Sequence, residues 1–290
     1  MFNSGQNNNE RIFITGGEKL YGKVNISGAK NAALPLMTLS LIINEDFKLL
    51  NVPDLADTRL MVKLLNDLGI KSIWKNGHVN FNGIAQKNEA SYELVRQMRA
   101  SILILGPLLA SQGSAKVPLP GGCAIGSRPI DLHVMVMEAL GANIKFDSGF
   151  IVGSVPSEGL RGGKINFPKI SVGATESAIM TAVLAKGQTI ISNAAQEPEI
   201  VDIVTCLNKA GANIVGEGSN TIIINGVEKL KKLQHEVIAD RIEAGSFAIA
   251  ASITMGDIEI RNIIPKNLEQ FLKTLENTGS KVEISKNSIN

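Results

Sequence analysis

Aromatic residues are scarce in this chain. One Trp, two Tyr and nine Phe make up 4% of 290 residues, so a core must be packed from Ile, Leu, Val, Ala and Met. Cysteine is scarcer still. Two, Cys123 and Cys206, exclude a disulfide framework and fit a reducing cytoplasm. Three scattered histidines, His78, His133 and His235, lack ligand spacing, so no metal site and no cofactor is expected. No apolar run reaches the length of a membrane span. The longest, 32–43 and 102–110, suit buried helices, and the polar first ten residues are no secretion signal. Charged residues are 19% and the net charge is +2, too near neutral for a general binder of nucleic acid or membrane surface. No Pro- or Ser-rich linker divides the chain. With 44% hydrophobic residues it can bury a large core, and the composition describes a soluble globular protein.

What the chain has is repetition. Amphipathic helices are predicted over Thr58–Leu68, Asp131–Leu140, Pro198–Ala210 and Asn267–Thr278. Each stops at a glycine, the expected left-handed cap: Gly69, Gly141, Gly211 and Gly279, standing 72, 70 and 68 residues apart. After each cap comes a strand candidate: Ile70–Trp74, Asn143–Phe146, Asn213–Val215 and Lys281–Ile284. Before each helix lies another: Phe47–Val52, Ala115–Leu119, Thr189–Ser192 and Asp257–Ile260. Preceding these are uniformly apolar helices, Asn31–Ile42, Ala100–Ala110, Thr175–Leu184 and Ile242–Ile253, whose pattern predicts burial on most sides. The unit therefore reads strand, buried helix, strand, surface helix, strand, strand. Repeated four times, it gives a layered α/β protein, with a domain boundary near Glu236–Asp240.

Candidate chemistry collects at the starts of the buried helices, where unpaired N–H groups and the dipole favour anions. Ser27–Ala33 offers Lys30 and Asn31 after Gly28; it lacks P-loop spacing and reads either as a phosphate turn or as a solvated lysine. Arg99 opens an apolar helix and needs a carboxylate or an anionic ligand. A glycine-rich loop, Leu119–Pro129, holds Cys123 five residues before Arg128, which can acidify the thiol and bind an anion. Asp131 is either a helix cap or a ligand contact, and His133 reads as an ordinary histidine. Lys169–Thr175 occupies the place in its repeat that the Lys30 turn occupies in the first, and amides near Gly173 with the Ser171 hydroxyl suit a diphosphate. The corresponding stretch Ala239–Gly245 is acidic and points to a domain contact instead. Cys206 lies between apolar helix residues and reads as a small core side chain.

Gly28–Ala32, Met98–Ser101, Pro120–Cys123, Gly126–His133, Ser171–Thr175, Glu197–Asp202 and Asp240–Glu243, in that order, resemble the UDP-N-acetylglucosamine enolpyruvyl transferases of the EPSP synthase-like family. The match starts near Arg11. The shikimate-pathway enolpyruvyl transferases share the architecture but lack the cysteine loop and the UDP-recognition run.

The resemblance implies an inside-out α/β barrel of βαβαββ units, three in each of two domains, with phosphoenolpyruvate and UDP-N-acetylglucosamine bound between them. It implies that Cys123 is the general acid, that Lys30 and Arg128 hold the phosphate and carboxylate of phosphoenolpyruvate with Arg99 in support, and that Asn31 touches the sugar. Arg128, Pro129, Ile130, Asp131 and Leu132, with Lys169, Ile170, Ser171, Val172 and Gly173, would line the UDP site. Against six units, this chain has four. The expected division is 31–237 as the first domain, 11–30 plus 238–290 as an incomplete second, and 1–10 as a polar extension. By this reading roughly 130 residues, two repeats of about 70, with a catalytic aspartate and further arginines, would come from a complementing C-terminal polypeptide. Without it the chain would be an incomplete fragment that binds UDP-N-acetylglucosamine in part.

Overall fold

The recurring helices end where their glycines turn left-handed. Gly69, Gly141, Gly211 and Gly279 have φ of 105°, 91°, 96° and 98°, values only glycine adopts without strain. The structure, a computed structural model, describes residues 13–120 and 130–290.

In chain order the elements are β1 (Tyr21–Asn25), α1 (Lys30–Thr38), β2 (Phe47–Leu50), α2 (Ala56–Asp67), β3 (Lys71–Lys75) and β4 (His78–Asn82). Then come α3 (Tyr92–Val95), a 3-10 helix Arg99–Ile104, α4 (Leu105–Gln112), β5 (Ser114–Pro118), α5 (Asp131–Ala139), β6 (Asn143–Asp147) and β7 (Phe150–Ser154). The third stretch holds β8 (Lys164–Asn166), α6 (Val172–Ala182), β9 (Gln188–Ser192), α7 (Pro198–Lys209), β10 (Asn213–Val215) and β11 (Thr221–Asn225). The last holds β12 (Leu233–Glu236), α8 (Arg241–Ile253), β13 (Asp257–Arg261), α9 (Glu269–Asn277) and β14 (Ser288–Ile289).

The chain divides into two compact units. One is Ser27–Asp240, and the other is Arg241–Asn290 with the N-terminal residues up to Ile26. In the larger unit three sheets repeat one plan. In β12-β2-β4-β3 and β8-β9-β11-β10 the first pair is parallel and the others antiparallel. In β5-β7-β6 the parallel neighbour is reduced to a bridge from Glu89 to Lys116. The smaller unit repeats the plan as β1-β13-β14, again with a parallel first pair.

One apolar core runs from Ala29 to Val237. At its centre α1, the 3-10 helix with α4, and α6 are buried along nearly their whole length, while α2 and α7 bury only one face, through Met61, Leu64 and Leu65 and through Ile200, Ile203, Val204 and Leu207. The central helices run the same way. Thr38, at the end of α1, donates from Oγ1 to Met180 Sδ (3.1 Å) near the end of α6, and Gly106 of α4 lies against Thr181 of α6.

Three expectations need correction. The run 100–110 is not one α-helix. Pro107 has no N–H to give the carbonyl of Leu103, and the turns before it wind as a 3-10 helix. Lys281–Ile284 forms no strand, only a bridge from Ile284 to Ile289. The partner available there is the short hairpin closed by Glu283 and Asn290, and Lys281 pairs with Glu283 at the surface. Finally, α8 is not buried on most sides. Ala244, Gly245 and Ala248 are buried, whereas Ile242, Ile249 and Ile253 (77%) are exposed.

Close approach of α4 and α6 depends on the missing side chain at 106, because a Cβ there would collide with Thr181 Oγ1 and crowd Met137 Cε. Gly106→Ala should cost about 2 kcal/mol in urea unfolding. Adding Thr181→Ala should recover part of that loss. A single variant as stable as the parent would contradict this packing.

Candidate active site

The first turn of α1 is stitched to the chain leaving β12. Ala29 N–H donates to Ile238 O (2.7 Å), Asp240 N–H to Ser27 O (2.9 Å) and Lys30 N–H to Asp240 Oδ2 (3.4 Å). Gly28 lies so close to the Asn51 carbonyl that no Cβ would fit. So held, Lys30 directs its ammonium to Asp57 Oδ2 (3.2 Å), in the first turn of α2. Their side chains are 41% and 39% exposed, which makes the pair weak enough to exchange for another anion. Asn31 is exposed beside it. Asp57 carried no signal in the sequence beyond being an acidic residue near a helix start.

A second device repeats at the strand ends. Asn51, Asn193 and Asn262, each just past β2, β9 or β13, have φ of 55°, 56° and 59°. Their Nδ2 groups donate to Val237 O, Phe167 O and Ile26 O at 3.1, 2.9 and 3.0 Å, tying each strand end to its parallel neighbour. The recurrence of Asn at this place could have been read from the repeats. The equivalent position after β5 is Leu119. There the tie is replaced by Leu119 N–H to Gly149 O (2.9 Å), and the chain enters 121–129. Cys123, Arg128 and Pro129 lie outside the described residues.

Ile130 begins the chain on the far side and is the N-cap of α5, its carbonyl accepting from His133 N–H and Val134 N–H. Asp131 is therefore not the cap. It is the first helical residue, exposed, where its charge complements the dipole. The Leu132 side chain belongs to the core, so only its main chain is available to a ligand.

His133 is far from an ordinary surface histidine. It is 6% exposed, its Nδ1 lies 2.7 Å from Ser177 Oγ on α6, and its Cε1–Nε2 edge stands against Gly173. Burial, then the nearby Arg99 charge, push its pKa down to about 4 against a smaller opposing effect of Asp131. Arg99, α5 and the first turn of α6 therefore meet at one place. Since the central helices run the same way, Lys30 lies toward the same end of the larger unit. Lys169 and Ile170 are exposed just before α6, and Ser171 caps it, accepting from Ala174 N–H at 3.3 Å. Among the described residues the N–H groups of Val172 and Gly173 have no acceptor.

Two further groups lie under this end. Glu176 of α6 is 4% exposed, and burial, followed by Glu199 and Glu197, pushes its carboxyl well above the usual range. Asp202 of α7 accepts from His235 Nε2 (2.8 Å) and Ile238 N–H (3.4 Å), pinning α7 to the end of β12. Cys206 is fully buried, and burial pushes its thiol pKa up, as suits a core side chain.

His133 and Glu176 give stability a pH dependence of definite sign. As pH falls from 6.5 toward about 4, the unfolded chain takes up a proton that the folded imidazole refuses, so stability is lost in that window. As pH rises past 4.5, the unfolded chain releases a proton that Glu176 keeps when folded, so stability falls with rising pH. Glu176→Gln should therefore raise the thermal midpoint at pH 7.5, with the gain vanishing near pH 4. An unchanged or lower midpoint at pH 7.5 would mean that the carboxyl is not held neutral.

Residues 14–290 match the family described as EPSP synthase (3-phosphoshikimate 1-carboxyvinyltransferase). UDP-N-acetylglucosamine 1-carboxyvinyltransferase of Zymomonas mobilis is 46% identical over 288 residues, covering 97% of this chain and 68% of that one. The protein of the same name from Coxiella burnetii is 47% identical over 280 residues, covering 96% and 64%. The chain thus spans about two thirds of the length of these relatives. Among solved structures, the enolpyruvyl transferase NikO from Streptomyces tendae is similar with a TM-score of 0.81 at 19% identity, over 94% of this chain and 66% of that one. EPSP synthase from Acinetobacter baumannii gives 0.73 at 18% identity, over 94% and 64%. At such identities these structures speak for the fold alone, an α/β architecture of mixed sheets. Matched over nearly its whole length, the chain belongs to the EPSP synthase family, beside members named UDP-N-acetylglucosamine 1-carboxyvinyltransferase.

Proposed function

We propose that this protein transfers the enolpyruvyl group of phosphoenolpyruvate to the 3-hydroxyl of UDP-N-acetylglucosamine, releasing phosphate, at the first committed step of peptidoglycan synthesis. The observation that carries this reading is the start of three buried helices toward one end of the larger unit, with Lys30, Arg99 and Ser171–Gly173 at those starts. Cations and open amides gathered at one site are what a multiply charged enol ester and a diphosphate require.

In the proposed reaction Cys123 gives its proton to C3 of phosphoenolpyruvate, which makes C2 electrophilic. The sugar 3-hydroxyl adds to C2 with loss of its proton, and the tetrahedral ketal then loses a proton from C3 and expels phosphate, restoring the C2=C3 double bond. Lys30 and Arg128 hold the phosphate and carboxylate, and Arg99 adds charge nearby. Lys30 gives up Asp57 when the phosphate arrives. Asn31 meets the sugar, while Arg128–Leu132 and Lys169–Gly173 receive the UDP moiety. By the resemblance, the aspartate that takes the hydroxyl proton would lie in repeats other than the four of this chain. In this reading the four sheets belong to four of six βαβαββ units shared by two domains. A polypeptide carrying further units would cover Ile242, Ile249 and Ile253 of α8, whose exposure supports such a partner. A free thiol and a nucleotide-sugar substrate support a cytoplasmic location.

The test is phosphate release from phosphoenolpyruvate with UDP-N-acetylglucosamine, measured on this chain alone and with a polypeptide spanning the remaining third of a relative. Cys123→Ala should lower kcat by about 100-fold or more. Lys30→Ala should lower kcat/KM for phosphoenolpyruvate by a similar factor. Turnover indifferent to Cys123→Ala would overturn the general-acid assignment, and absence of phosphate release in both mixtures would overturn the reaction.

A further inference from the structure

Asp202 and His235 form a buried polar pair where sibling repeats are apolar. His235 of β12 stands opposite Leu49, two residues before Asn51. The same register sets Ile165 of β8 opposite Ile191, two before Asn193, and Val24 of β1 opposite Ile260, two before Asn262. Asp202 stands as far before its capping glycine as Leu60 and Leu132 stand before theirs. Aliphatic side chains would thus satisfy packing at both places. A carboxylate beside an imidazole, at 4% and 3% exposure, costs desolvation there and gains direction. The direction is toward the chain leaving β12. Nδ1 of His235 is buried without a partner among the described residues, so the ring carries its hydrogen on Nε2 and gives it to Asp202 Oδ1 at 2.8 Å. Oδ2 then faces Ile238 N–H (3.4 Å). The carbonyl of Ile238 accepts from Ala29 N–H (2.7 Å), and two residues on, Asp240 Oδ2 accepts from Lys30 N–H. Asp202 is therefore joined through one residue, Ile238, to the turn that carries Lys30.

We infer that Asp202 and His235 are positioning residues for Lys30, orienting Ile238 so that the turn at Ala29 and Lys30 aims the ammonium at the phosphate of phosphoenolpyruvate. The inference rests on the reading that Lys30 holds that phosphate. Both residues are buried, so they act through the main chain and not on the substrate. The exposed contact with Asp57 holds the ammonium only weakly, so its aim depends on the backbone from which the side chain springs. A carboxylate can accept from His235 and from Ile238 at once. Asn has one acceptor oxygen and would turn its NH2 toward one of the two donors.

Replacing the pair by residues of the sibling repeats, Asp202→Leu with His235→Ile, separates position from stability. Affinity of the full chain for phosphoenolpyruvate is measured by NMR titration, amide exchange by NMR, and stability by thermal unfolding. The aliphatic pair should match or exceed the parent's thermal midpoint. It should nevertheless bind phosphoenolpyruvate about fivefold more weakly and exchange the Ala29 and Lys30 amides about tenfold faster. Asp202→Asn should weaken binding in the same direction. His235→Gln, whose amide nitrogen can stand in for Nε2, should stay within about twofold of the parent. On a Lys30→Ala background the aliphatic pair should weaken binding no further, because its effect runs through Lys30. Unchanged affinity with the aliphatic pair, the same fivefold loss on the Lys30→Ala background, or Ala29 exchange as slow as in the parent would each overturn the inference. So would a midpoint that falls together with binding while exchange quickens in every sheet, since the pair would then be structural only. If the aliphatic pair does not fold, Asp202→Asn alone and with Lys30→Ala decides by the same readings. A parent that binds no phosphoenolpyruvate overturns the reading of Lys30 and the inference together. A parent that loses affinity with Lys30→Ala but keeps it with Asp202→Asn overturns the inference alone.

Discussion

A helix packed on nearly every side keeps unpaired N–H groups only at its start, and this chain packs three such helices together. The starts are satisfied in different ways. At α1 the chain leaving β12 supplies Ile238 O and the Asp240 carboxylate. At the second helix Ser101 N–H turns back to Met98 O, and its hydroxyl serves the same loop. At α6 the Ser171 hydroxyl takes one amide, and those of Val172 and Gly173 stay open among the described residues. Left open on half-buried residues, those amides are free to meet water or an anion. The end of the unit where this occurs is also where the cations lie.

Repetition explains how the starts come to share an end. The crossovers through α4 and α6 each join parallel neighbours, the Glu89 bridge to β5 and β8 to β9, whereas α1 leads from β1, paired with β13, to β2, paired with β12. The asparagines at 51, 193 and 262 then close the strand ends with the same side-chain bond. Where the plan is broken, at Leu119, the strand end is freed from that bond and leads into the segment that bears Cys123 and Arg128. One repeat thus departs from its siblings just before the segment whose Cys123 is proposed as the general acid.

Much of this was legible in the sequence, for physical reasons that differ from element to element. Glycine caps at a period near 70 are visible because left-handed backbone strongly favours one residue type. The buried helices are visible because small and apolar residues dominate them, with few polar interruptions such as Thr38 and Glu176. The 3-10 geometry before Pro107 was hidden, since the same apolar run serves either helix. The exposure of α8 was hidden because an apolar sequence does not say what covers it. The Lys30–Asp57 pair and the His133–Ser177 bond were hidden for a third reason. They join residues 27 and 44 positions apart, and only the packing of α1 on α2 and of α5 on α6 brings them together. Gly173 and Ser177, four apart on one helix face, were the half of that contact that spacing alone could supply.

Charge at the shared end is then a matter of which groups are kept neutral. Glu176 lies between Glu197 and Glu199 electrostatically, and as a carboxylate it would place a further negative charge beneath the first turn of α6. Burial pushes it toward the neutral form. His133 beside Arg99 would add a positive charge, and burial holds it unprotonated. What remains mobile in charge is the exposed pair of Lys30 and Asp57, worth little in stability and so free to exchange. A site built this way fixes its dipoles and leaves one ion pair to answer the arrival of an anion. Under the proposed function the fixed dipoles would need no reorganisation when an anion binds, and recognition would fall on the open amides at the start of α6.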